Sequence, residues 1–173
     1  MKIFFIILTL LQFSACSSKK SYILYSQDAP VANHSLSESI SVKTIELPQY
    51  LLGREIPFLE NKNEISYLKN RKWATYLDEH LTNRIISTLQ KSFNTPKVYK
   101  YPQKTEPNIL IKITINKFIA QKNSVILDAT WSKNGESKLF FIEIPILSKD
   151  DVVDGMNRAF SALEKELVKD IDE

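Results

Sequence analysis

Few side chains in this sequence could perform acid–base or nucleophilic chemistry, and their spacing does not assemble a catalytic site. The candidate bases are His34, in a segment rich in Pro, Asn and Ser, and His80, in a segment with helical periodicity. No Ser or Asp stands in motif-like spacing around His80, as an activated nucleophile would require. The acidic pairs Asp78-Glu79 and Asp150-Asp151 are adjacent residues, which point in different directions on a helix. The sequence therefore predicts a protein that is not an enzyme.

The composition excludes several classes of cofactor and partner. A single Cys and two His, far apart in a chain of 173 residues, do not fit a structural zinc site. With only three Gly, no glycine-rich phosphate loop can be written. Lys and Arg number 23 against 20 Asp and Glu, a balance that does not indicate a nucleic-acid partner. We expect no metal, no cofactor and no nucleic acid.

The one cysteine lies where it could be acylated. Lys2 precedes the apolar run Ile3–Leu11, which has the order of a secretory signal and is too short to span a membrane. Phe13-Ser14-Ala15-Cys16 follows, and small residues at the two positions before a Cys resemble the lipobox of bacterial lipoproteins. We predict a signal peptide over residues 1–15, a lipid attached to Cys16, and a short tether over residues 16–21. The alternative is an unmodified Cys16 behind an uncleaved anchor.

The residues next to the anchor bear on location. Ser17 follows Cys16, and no Asp is present there. By the sorting rule of enteric bacteria, this predicts the outer membrane with the domain facing the periplasm; the inner membrane is the less favoured alternative. Without Lys2 the mature chain has 22 basic residues against 20 acidic ones. Such near-neutral charge provides no polybasic attraction to a membrane, so acylation is expected to be the anchor.

Hydrophobic periodicity predicts one α+β domain over residues 22–173. Its first part holds two short strands, at Tyr22–Tyr25 and from Ile40 to Pro48, and then a hairpin around Asn61-Lys62-Asn63. Apolar residues recur every four positions from Trp73 to Phe93, with Asn70 as a candidate cap. This period predicts a helix over about residues 72–93.

The C-terminal part predicts a three-stranded meander and a second helix. Apolar residues alternate along Ile109–Ile115, Val125–Trp131 and Phe140–Ile146, and Asn134-Gly135 supplies a type I′ turn. Ser148 and Asp151 form a candidate capping box before a helix at about residues 149–171. The expected architecture is a mixed, mainly antiparallel sheet packed by two main helices.

Several segments, taken in order, resemble one family of bacterial lipoproteins. They are Val42–Leu51, which ends in Leu-Pro-Gln-Tyr-Leu, then Arg54-Glu55-Ile56, Arg71–Leu77, Ile111–Phe118, and Val125-x-Leu127-x-Ala129-x-Trp131. The order is similar to that of the ABC-type transport auxiliary lipoprotein family, of the PqiC and YmbA type, over residues 22–171. Two positions depart from the family pattern: Lys72 separates Arg71 from Trp73, and Thr75 stands where an acidic residue is common.

The resemblance implies a role that composition cannot give. Such lipoproteins are not enzymes, carry no known cofactor, and resemble periplasm-facing partners of transport systems built on mammalian-cell-entry (MCE) domain proteins, which move lipids between two membranes. ATP hydrolysis, where a system uses it, belongs to another subunit. The implied partners are an MCE-domain protein of an ABC-type transport system and, through the lipid anchor, a membrane. The alternative class is an outer-membrane assembly lipoprotein of the lipopolysaccharide-export type.

Two groups of residues are candidate partner contacts. The first lies on the Leu-Pro-Gln-Tyr-Leu segment and comprises Leu47, Pro48, Tyr50 and Leu51. These residues could form a partner-binding edge, or Pro48 could end a strand while Tyr50 caps the core. The second group is Leu139 and Phe141, which lie on the other face of the third meander strand. A sheet that is covered on one face only does not explain apolar residues there. We expect them to contact the partner or a neighbouring copy in a homo-oligomer, because exposed apolar patches mark interfaces.

Overall fold

The structure, a computed structural model, describes residues 18–25, 29–32, 36–61 and 63–173. The predicted signal peptide, Cys16 and His34 lie outside the described residues. In chain order the elements are β1 (Lys20–Tyr22), β2 (Ile40–Val42), β3 (Glu55–Asn61), β4 (Glu64–Trp73), α1 (Leu77–Ser92), β5 (Val98–Lys100), β6 (Ile109–Gln121), β7 (Ser124–Lys133), β8 (Glu136–Pro145) and α2 (Val152–Asp172).

The strands join one eight-stranded mixed sheet, and its centre is the 13-residue strand β6. One edge of β6 pairs antiparallel with β7, which in turn pairs antiparallel with β8. The other edge pairs in parallel with β2 near its start and with β3 near its end. Strands β4 and β1 continue outward from β3, and β5 continues from β2. The longest ladders are antiparallel, which confirms the predicted fold class.

Both helices pack on one face of this sheet and bury the alternating side chains of its strands. The inward row of β7 comprises Val125, Leu127, Ala129 and Trp131. The apolar side of α2 recurs with helical spacing at Val152, Met156, Phe160, Leu163 and Leu167. Each large apolar side chain buried here stabilises the fold by about 1.5–3 kcal/mol through removal from water. Among the described residues, no helix packs on the opposite face of the meander.

The C-terminal half follows the sequence-based prediction closely. Asn134 and Gly135 have φ angles of 52° and 95°, as a type I′ turn requires. The capping box is also present, with the backbone N–H of Ser148 donating to Asp151 Oδ2 at 2.9 Å. A short 3₁₀ turn at Lys149–Asp151 precedes α2.

The predicted start of the first helix was wrong by about five residues. Trp73 is the last residue of β4, and α1 begins at Leu77 with no side-chain cap at Tyr76. Asn70 is not a cap; it lies within β4 with a φ angle of 59°, where the pairing with β3 is irregular. The four-residue period continued across the boundary because Trp73 and Leu77 both enter the core, one from a strand end and one from a helix.

The first two strands also differ from their prediction. Strand β1 covers Lys20–Tyr22 rather than the predicted Tyr22–Tyr25, and it pairs with Arg71 to Trp73 of β4. Leu24 is buried beyond the end of that strand. Strand β2 is only Ile40–Val42, although the chain stays near β6 and Glu46 forms an isolated bridge with Thr114.

Candidate functional site

Strand β8 carries the most exposed apolar side chains of the sheet. Leu139 is 86% exposed and Phe141 is 65% exposed. They lie on the face away from the helices, opposite Thr130 and Asp128 of β7. The structure thus places both side chains side by side in solvent, as the sequence predicted for an uncovered face.

The same strand leaves its outer edge unpaired. Within the described part of the chain, β8 pairs only with β7. The two-residue turn makes Lys133 and Glu136 a hydrogen-bonded pair, and such pairs alternate along an antiparallel ladder. The backbone N–H and C=O groups of Ser137, Leu139, Phe141 and Glu143 therefore point outward. Pro145 is the next residue in this alternation, so the N–H that proline lacks would have pointed to the free edge and no ladder hydrogen bond is lost.

Contacts on the inner side hold β8 in place. Phe140, Ile142 and Ile144 are half-buried and pack against the core. Lys138 forms an ion pair with the buried Asp170 near the end of α2 and lies 5.5 Å from the ring centroid of Trp131. Leu139 and Phe141 are thus exposed on a strand whose other face packs against the core.

Polar side chains flank this apolar row on the same face of the sheet. Asn116 of β6 donates hydrogen bonds to Asp128 at 3.1 Å and to Thr130 at 3.2 Å. Further along, Lys112 and Thr114 bond to Glu46, and these hydrogen bonds lower the pKa of the Glu46 carboxyl below its usual value. The arrangement is a narrow apolar strip at the sheet edge beside a polar centre.

The other predicted contact group lies on the opposite edge of β6. Leu51 is fully buried, and Leu47 and Tyr50 pack against the core. The Tyr50 hydroxyl accepts a hydrogen bond from the backbone N–H of Phe118 at 3.1 Å. Burial raises the pKa of that hydroxyl, and the hydrogen bond opposes the rise. This placement supports the reading in which Tyr50 caps the core, and it leaves Leu51 inaccessible to a partner.

Sequence reasoning missed a buried ionic cluster between the two helices. Arg84 of α1 donates to both carboxylate oxygens of Glu164 on α2, at 2.9 and 2.6 Å, and each side chain is 3% exposed. Asn157 and Ser161 accept further hydrogen bonds from Arg84, and Thr88 donates to Glu164. The signal was Glu164 itself, which stands on the apolar arc of α2 between Phe160 and Leu167.

His80 is the one histidine among the described residues. His80 is half-buried and contacts the carbonyl oxygen of Leu24 through Nε2 at 2.6 Å, so this ring nitrogen is occupied. No three His, Cys, Asp or Glu side chains among the described residues converge as metal ligands. In that same part of the chain, no helix is long and apolar enough to cross a membrane.

The sequence of this chain matches one known protein family. Residues 22–168 match the family described as the ABC-type transport auxiliary lipoprotein component. The chain belongs to this family. Membership makes it a component of membrane transport and a lipoprotein by family, which confirms the resemblance inferred from the sequence.

Two solved structures are similar to this fold. A crystal structure of an uncharacterized protein superposes with a TM-score of 0.73 at 18% identity, covering 90% of this chain and 99% of that one. Protein XCC0632 from Xanthomonas campestris, of the family DUF330, superposes with a TM-score of 0.65 at 13% identity, covering 87% and 90%. At such identities the likeness concerns the fold alone. No curated protein matches the sequence.

Proposed function

We propose that this family member is a non-enzymatic, periplasm-facing lipoprotein subunit of an MCE/ABC-type intermembrane lipid transport system, where it docks a partner protein at the membrane. Family membership supports the transport role. The single observation that carries the docking role is the free edge of β8, with Leu139 and Phe141 exposed beside it. The occupant assigned to this edge is the MCE-domain protein.

Strand addition is the binding mode that this edge favours. An incoming strand would hydrogen-bond to the outward backbone groups of β8, and alternate side chains would set specificity. Leu139 and Phe141 supply apolar contact area on one face of the added strand. Natural proteins usually protect a long exposed edge, so an edge left open beside apolar side chains indicates a partner.

Membrane attachment is assigned to an acyl group on Cys16. Because β1 begins at Lys20, only Ser17, Ser18 and Lys19 separate the anchor from the sheet. Four steps of extended chain span about 14 Å. This tether is shorter than the six steps to a strand that starts at Tyr22, as the sequence predicted. The domain would therefore rest against its membrane, and a partner must complete any route to the other one.

Acylation and location are tested together by fractionation. Cells producing the native chain are labelled with radioactive palmitate and their two membranes are separated. The proposal expects the label in this protein and the protein in the outer membrane. The Cys16→Ser variant should lose both. A label that persists in the variant would show that Cys16 is not the attachment site.

Partner docking is tested by co-purification from membranes. The double variant Leu139→Ser, Phe141→Ser should fold normally and stop co-purifying with the MCE-domain protein. A matched control replaces two exposed apolar residues far from β8, Val31→Ser with Tyr99→Ser, and should retain the partner. Unchanged co-purification of the β8 variant, at a circular dichroism spectrum and unfolding midpoint equal to the control, would refute docking through this strand.

A further inference from the structure

The sheet edge next to the tether concentrates positive charge that the net charge of the chain conceals. Lys20 and Ser21 of β1 pair with Arg71 and Lys72 of β4. Lys19, Arg71 and Lys72 line a surface depression of about 180 Å³ together with Glu55. A second depression, of about 330 Å³, shares Leu68 and Arg71 with the first and adds Lys69 and Lys149. The two depressions form one continuous surface along β4.

Ion pairing neutralises only part of this surface. Arg71 pairs with Asp150, and Lys149 pairs with Glu60 at 2.8 Å. Four lysines form no ion pair with any described residue, and we call them the basic strip: Lys19, Lys20, Lys69 and Lys72. Glu55 is the one carboxylate among the described residues lining these depressions that is outside those two pairs. The local excess of about three positive charges exceeds the net +2 of residues 16–173 (22 minus 20).

We propose that the basic strip is a docking surface for the anionic headgroups of the membrane leaflet that holds the anchor. This inference rests on the proposed acylation of Cys16, which places a bilayer within about 14 Å of Lys20. Lysines near an anionic leaflet contribute about 1 kcal/mol each, and a basic patch is the usual second signal beside an acyl chain. Tyr67, half-exposed in the same groove, suits the headgroup region because its ring is apolar and its hydroxyl is polar.

The choice of occupant follows from the position of the strip. A partner protein could also present acidic residues, but the tether ends at this edge, so the membrane surface reaches it first. Acylation alone would hold the domain near the bilayer in any orientation. The strip would add one fixed orientation, with the β1–β4 edge towards the headgroups.

The test is lysine footprinting of the full-length protein, purified from membranes without its partners and placed in vesicles. Vesicles of phosphatidylcholine with one-quarter phosphatidylglycerol are compared with vesicles of phosphatidylcholine alone. Lys69 and Lys72 are the informative positions, because Lys19 and Lys20 lie near the anchor in any orientation. We expect amine acetylation of Lys69 and Lys72, read by mass spectrometry, to slow severalfold in the anionic vesicles only. Lys97 and Lys117 should react equally in both.

Variants and the intact mass separate the possible failures. Lys20→Gln with Lys69→Gln should restore the reactivity of Lys72 in anionic vesicles, and Lys97→Gln with Lys117→Gln should not. The intact mass reports acylation of Cys16 independently, so loss of the anchor is distinguished from loss of the surface. Equal reactivity of Lys69 and Lys72 in both vesicles overturns the proposal. Protection in cells without protection in anionic vesicles also overturns it and assigns the strip to an acidic protein.

Discussion

At the scale of single residues, Tyr50 explains why a Leu-Pro-x-Tyr-Leu segment follows β2. Along one edge of β6, Glu46 forms a bridge with Thr114, and the pairing of β6 with β3 begins only at Ala120. The N–H of Phe118 falls in the gap between them, and the Tyr50 hydroxyl accepts its hydrogen bond. The segment therefore supplies the hydrogen-bond acceptor that this part of the β6 edge lacks.

Tyr50→Phe should destabilise the domain by about 1–3 kcal/mol, since it leaves a buried N–H without an acceptor. Tyr67→Phe is the matched control, because that residue is half-exposed, and it should change stability by less than about 0.5 kcal/mol. Urea titrations of the three proteins give the comparison. Equal midpoints for Tyr50→Phe and the native protein would mean that the hydroxyl has no structural role.

The ion pair between Arg84 and Glu164 is the other residue-scale feature with a measurable consequence. Glu164→Gln leaves the buried guanidinium without a countercharge, so we expect a loss of about 3–5 kcal/mol. Replacing both partners, Arg84→Met with Glu164→Leu, should recover most of that loss, because the desolvation of two charges disappears. Arg84→Met and Glu164→Leu, also made singly, complete a double-mutant cycle, and additive effects in it would show that the two groups are not coupled.

At the scale of elements, the sequence predicted what local periodicity determines and missed what tertiary contacts determine. The meander was predictable because alternation and Asn134-Gly135 fix register without help from elsewhere. The start of α1 was not predictable, because Trp73 at the end of a strand and Leu77 at the start of a helix are both buried in the same core. The exposure of Leu139 and Phe141 could be inferred from alternation; the free edge beside them required the sheet order.

Helix α2 approaches the sheet closely at Gly155. A Cβ atom there would lie 2.6 Å from Cγ2 of Ile146 and 2.8 Å from Cγ2 of Val125, both on short branched side chains. Gly155→Ala should therefore destabilise the domain by about 1 kcal/mol, since an overpacking penalty of about 1–3 kcal/mol exceeds the helix-propensity gain. Lys165→Ala on the exposed side of α2 should be nearly neutral. An increase in the thermal midpoint of Gly155→Ala would contradict the close packing.

At the scale of the whole molecule, β1 and β8 stand at opposite ends of one path of paired strands. The path from β1 through β4, β3, β6 and β7 to β8 crosses five inter-strand spacings, or about 24 Å. With the β1–β4 edge on the headgroups, β8 would stand away from the membrane, where a partner spanning the periplasm could reach it. Under the proposed function, a subunit of this shape would link a membrane to a transport protein.

The most direct test of this account is site-specific photocrosslinking in living cells. A photoreactive amino acid is placed at Phe141 of the otherwise native lipoprotein, and at Val31, which is more exposed than Phe141, as the control. We expect an adduct with an MCE-domain protein from position 141 and none from position 31, identified by mass spectrometry. An adduct from position 141 that contains only a second copy of this chain, or the absence of any adduct there, would contradict it.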